Sequence, residues 1–104
     1  MNAYLLALGI TLAVETPIVA ALFPGRRVRL AFTCVVATIA THLMLHFVFP
    51  RLLPDGISPL IVGEAFATLA EAAAYAVASM EFGRSLVASA LANSASFAIG
   101  LLVF

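Results

Sequence analysis

Five side chains in this sequence are equipped for acid–base or metal chemistry, and all five fall inside long apolar runs: Glu15, His42, His46, Glu64 and Glu71. Holding an ionised side chain in hydrocarbon costs at least ~2.5 kcal/mol. Such groups therefore face a bundle interior, pair with one another, or hold a proton or a metal. The stretch THLMLH sets two imidazoles at i and i+4, one helical turn apart, where both can grip one ion. With Glu64 opposite, His, His and Glu make a zinc-type rather than a magnesium-type set, although no HExxH motif is present. Glu15 and Glu71 read as a carboxylate pair. Two close acids cannot both be charged without a cation, so one is protonated, they share a proton, or a cation sits between them.

Those residues must be positioned by helices that cross a membrane. The chain has 104 residues, 64% of them hydrophobic and only 10% charged, where a soluble domain carries about 25% charge. Its charges punctuate four apolar runs, at about 3–23, 28–49, 58–80 and 85–104. Each run is near the twenty residues a helix needs to cross roughly 30 Å of hydrocarbon. Nothing alternates with the period of a strand, and lipid tolerates only helices or closed barrels. Short connections make neighbouring helices antiparallel. The expected fold is all-α: a single membrane domain, 1–104, built as a four-transmembrane-helix up-down bundle. The first run lacks a basic leader and reads as a retained span rather than a signal peptide. No internal repeat is evident along the chain.

Each span carries one polar seam. In the third run Glu64, Thr68, Glu71, Tyr75 and Ser79 follow helical spacing. The fourth run has Ser85, Ser89, Asn93, Ser96 and Gly100, the second Cys34, Thr38, His42 and His46, and the first Tyr4, Thr11 and Glu15. Small and hydroxyl residues alone are ordinary glue between membrane helices; the ionisable groups are the functional signal. Counting depth at roughly 1.5 Å per residue gives two levels. His42, Glu64 and His46 lie in an outer one, and Glu15, Glu71 and Asn93 near the midplane. Asn93 is placed to hydrogen-bond either acid, with Tyr75 and Thr68 in support. Pro17, in AVETPIV, frees the carbonyl of Ala13, which would either add an oxygen ligand beside Glu15 or mark only a packing kink.

Arginine bias sets the expected orientation. Arg26, Arg27, Arg29 and Arg84 share one side against Arg51 on the other, which puts both termini and the 50–57 loop outside a bacterial inner membrane. Asp55, Glu81 and Arg84 read as interfacial charges. Zero net charge gives no reason to expect nucleic acid as a partner. The lone Cys34 excludes an internal disulfide and reads as a packing residue.

In size, helix count and a Glu in the first helix, here Glu15, the chain resembles small multidrug-resistance transporters. It departs from them in having no Trp and in carrying His42, His46 and Glu71. Its combination of ETP (15–17), TH (41–42), Glu64 and Glu71 ahead of Tyr75, and ANSAS (92–96) is more similar to small four-helix bacterial membrane proteins of unassigned function. That likeness spans all four helices and implies the bundle without an activity. Three functional expectations follow. The first is a small cation or proton-coupled transporter or channel, binding a zinc-like divalent metal or a proton at His42, His46, Glu64, Glu15 and Glu71, as a homo-oligomer in the lipid bilayer. The second is a non-catalytic subunit of a larger membrane complex, in which the seams are helix–helix contacts, the acids pair with a partner's Arg, and a His ligates a haem or pigment or, as His46, only sits at the interface near Arg51. The third is an intramembrane metalloenzyme with an open coordination position.

Overall fold

In hydrocarbon every backbone polar group must be satisfied within its own segment, so each apolar run closes on itself as a helix. The computed structural model describes residues 3–54, 56 and 58–103; Asp55 lies outside the described residues. Helix α1 is Ala3–Leu22 and α2 is Arg27–Leu43. α2 runs on through a π-turn, Met44–Val48, and a last helical turn, Phe49–Leu52. α3 is Pro59–Ser79 and α4 is Phe82–Val103. Packing goes round a ring, α1 on α2, α2 on α3, α3 on α4 and α4 back on α1, which is an up-down four-helix bundle.

Local chemistry sets the ends. Ser58 caps α3, its Oγ accepting the Ile61 N–H at 3.3 Å. α3 stops at Met80, held in the left-handed region at φ 62°. The Ser79 Oγ then accepts the Glu81 N–H at 3.1 Å, which lets α4 begin at once. So α4 starts at Phe82 rather than Ser85. The second span likewise passes Pro50, where the sequence places a stop. Proline lacks an N–H for the usual i→i−4 bond. The π-turn shifts the ladder just ahead of it, with the Phe49 N–H bonded to the Met44 carbonyl.

The molecule is inside-out compared with a soluble domain. Its outer surface is apolar, with Phe32, Ile61, Leu69 and Val77 among the most exposed side chains, while Glu15, Glu71, Thr38, Ser89 and Asn93 are buried. All four helices are long and apolar enough to cross a membrane; the second span, Pro24–Leu52, has 29 residues. The protein is an all-α, four-helix membrane protein. One end of the bundle carries the arginine turns, 24–29 and 81–84. The other, terminal end carries residue 3, the 53–58 connection and residue 103.

Candidate functional site

The sequence puts Glu15 on α1 and Glu71 on α3, with hydrogen-bond donors on α2 and α4, and the bundle brings them to one level. Glu15 of α1 and Glu71 of α3 are each only 1% exposed. From α2 Thr38 donates to Glu15 Oε1 at 3.3 Å, and from α4 Ser96 donates to Glu15 Oε2. Glu71 is held in the same manner, by Thr41 of α2 at 2.8 Å and Asn93 of α4 at 3.0 Å. Both carboxyls line the same cavity. Among the described residues every hydrogen-bond partner of the pair is neutral, and no arginine lines the cavity beside it.

A cavity of about 250 Å³ adjoins the pair. Its lining runs from Glu15, Thr38 and Glu71 out to His46, Gly100 and Leu101, toward the terminal end. In the opposite direction Val19, Phe23, Leu30, Cys34, Tyr75 and Ala92 are buried against one another, and this plug separates the acids from the arginine end. A second cavity, about 550 Å³, lies between α3 and α4 and shares Glu64, Asn93 and Phe97 with the first.

The outer level is arranged differently from the central one. His42 and His46 stack at 4.4 Å between ring centroids, with an interplanar angle of 26°. Tyr4 of α1 packs against both rings at 5.0 Å and against Phe47 at 5.3 Å. His42 is buried and its Nδ1 has no hydrogen-bond partner among the described residues, whereas His46 is exposed. Glu64 is half-buried, lines both cavities, and makes no hydrogen bond or ion pair among the described residues. Among those residues no three His, Cys, Asp or Glu side chains gather as a group able to hold a metal ion.

The supporting residues separate. Asn93 joins the acids. Tyr75 lies beneath them, packed in the buried cluster with Cys34, and its hydroxyl has no hydrogen-bond partner among the described residues. Thr68 faces the second cavity, and its carbonyl accepts from Ser89 Oγ at 2.6 Å. Pro17 and Ala13 both lie on the exposed face of α1 and line neither cavity. Sequence reasoning missed Ser96 as a donor and Tyr4 as the partner of the imidazoles. The depth of Ser96, one turn from Asn93, was the available signal. Fold and site together define a class: a four-helix membrane protein with a buried acid pair at the end of a one-sided cavity. Compared with known protein families, with curated proteins and with solved structures, the chain matches none of them.

Proposed function

We propose that this protein binds a compact monovalent cation in its interior in exchange for a proton, as a small proton-linked cation carrier or channel of the membrane. The observation that carries this reading is the Glu15–Glu71 pair, buried, hydrogen-bonded among the described residues by neutral donors, and set at the end of a cavity lined out to the terminal end. Two carboxyls so placed cannot both ionise without a positive charge between them. A proton supplies it when the cavity holds only water. A cation entering past His42, His46 and Glu64 takes over that role, and the displaced proton leaves by the same route. The other titratable groups facing the pair are Glu64, His42, Tyr75 and Cys34. A monovalent cation suits two carboxylates and hydroxyl or amide oxygens better than zinc, which seeks nitrogen and sulfur at close range.

Proton release on binding tests this. Purified protein in weakly buffered detergent, with a pH-sensitive dye, is titrated in separate arms with sodium, potassium and methylammonium chloride. At least one arm should release one proton per cation bound, and the Glu15→Gln/Glu71→Gln double variant should release none. Folded wild-type protein that releases no proton in any arm would overturn the reading.

A further inference from the structure

The hydrogen bonds to the two acids come in matched pairs. Each residue of α1 corresponds to the one fifty-six places on in α3, as Glu15 does to Glu71, and each residue of α2 to the one fifty-five places on in α4, as Thr38 does to Asn93. Under this exchange the bond from Thr38 to Glu15 Oε1 becomes the bond from Asn93 to Glu71 Oε1. The bond from Ser96 to Glu15 Oε2 becomes that from Thr41 to Glu71 Oε2. Thr41 bonds the carbonyl of Thr38, and Ser96 that of Asn93, both at 3.2 Å. The Cys34–Thr38 contact maps onto Ser89–Asn93. At the arginine end, Arg29 reaches across to the Ala78 carbonyl and Arg84 to that of Leu22, and these too are each other's images.

Any up-down bundle has an approximate two-fold backbone. That symmetry does not oblige five pairs of side-chain contacts to fall at matched positions, four of them on the same oxygen atom. Burial agrees as well: Glu15, Val19 and Phe23 match Glu71, Tyr75 and Ser79, and all six are buried. We infer that the chain is a duplicated αα-hairpin, and that Glu15 and Glu71 are the equivalent halves of one site on its two-fold axis, holding a single positive charge between them. The inference rests on the proposed function for the charge and on the paired bonds for the equivalence.

Because α1 and α3 run the same way, the axis lies along the bundle, in the manner of parallel rather than inverted repeats. Exchanging the halves therefore leaves the cavity open to the same end. What the repeat does not copy is the vestibule. His42 answers to Phe97, His46 to Leu101 and Glu64 to Leu8. Among the described residues the two buried polar side-chain atoms without partners, on His42 and Tyr75, also sit where the halves differ, since Tyr75 answers to Val19. A symmetric binding site thus lies under an asymmetric entrance.

Mirrored variants of the full chain test the equivalence. Glu15→Gln and Glu71→Gln should each weaken binding of the responsive cation on the order of ten-fold, and alike. Thr41→Val and Ser96→Ala, which each remove the donor reaching the other hairpin's acid, should lower the unfolding temperature by equal amounts. Unfolding is read from reaction of the buried Cys34 thiol with a fluorogenic maleimide. The exchange Thr38→Asn with Asn93→Thr should keep wild-type affinity. One Gln variant silent while its mirror loses all binding, or unequal falls in unfolding temperature, would overturn the two-fold site. If wild-type protein binds no cation, the proposed function fails, and the unfolding temperatures still decide the duplication.

Discussion

Asn93 carries more of the site than any other neutral side chain. Its Nδ2 reaches Glu71 at 3.0 Å, the Ser89 carbonyl at 2.9 Å and the Ser89 hydroxyl at 3.3 Å. Replacing it with Leu keeps the volume and leaves a buried carboxyl oxygen short of its donor, a loss of about 1–3 kcal/mol. Asn93→Leu should lower the unfolding temperature in detergent well beyond Ser94→Leu, one place on at an exposed position. Met80 offers a prediction of the opposite sign. It holds φ 62° with its side chain 73% exposed. A left-handed backbone costs an L-residue about 1–2 kcal/mol, a cost glycine does not bear. Met80→Gly should therefore raise the unfolding temperature. At this scale the acid pair was legible, because depth counted along each helix puts Glu15, Glu71 and Asn93 at one level. Ser96 was not, because serine in a membrane helix is ordinary packing unless its neighbour across the bundle is known.

Between elements, α3 meets the π-turn of the second span closely at Gly63. A Cβ on Gly63 would sit 2.7 Å from Leu45 Cγ and 3.2 Å from Leu45 Cδ2. Gly63→Ala should cost about 1–3 kcal/mol through this overlap, and Leu45→Ala in the same chain should restore part of it. Gly9→Ala is the control, since nothing lies within 4 Å of its added methyl. Unfolding temperatures of the four proteins decide whether α3 and the π-turn are packed as described. The spans were legible because apolar length decides them, but their edges were not. Pro50 reads as a stop by its missing N–H, yet the bond from Phe49 to Met44 carries the helix to Leu52. The break after Met80 reads as four residues and closes in two, because one left-handed residue and the Ser79 hydroxyl complete the turn. The duplication escaped the sequence for a related reason. Glu15 and Glu71 keep their residue type, as do Arg29 and Arg84, but most matched positions keep only burial and hydrogen-bonding capacity, as Thr38 and Asn93 do.

For the whole molecule, the one-sided cavity makes orientation a functional matter. The acids communicate with the terminal end, and the plug around Phe23, Leu30 and Tyr75 closes the arginine end. Four of the five arginines lie at the plugged end. Arg29 and Arg84 clamp the opposite hairpins' carbonyls there, and Arg26 pairs with Glu81 at 3.3 Å. Basic residues in short loops stay on the cytoplasmic side during insertion. The cavity should therefore draw its cation from outside the cell. In a Cys34→Ser background, Leu52→Cys marks the cavity end, while Gly25→Cys and Gly83→Cys mark the plugged end; both glycines have open space for an added side chain. On intact cells a membrane-impermeant maleimide should label the first and reach the other two only after the membrane is opened. The reverse pattern would put the cavity mouth in the cytoplasm. The acid pair would then sample cytoplasmic cations, and the arginine clamps would stabilise the outer face rather than anchor the inner one.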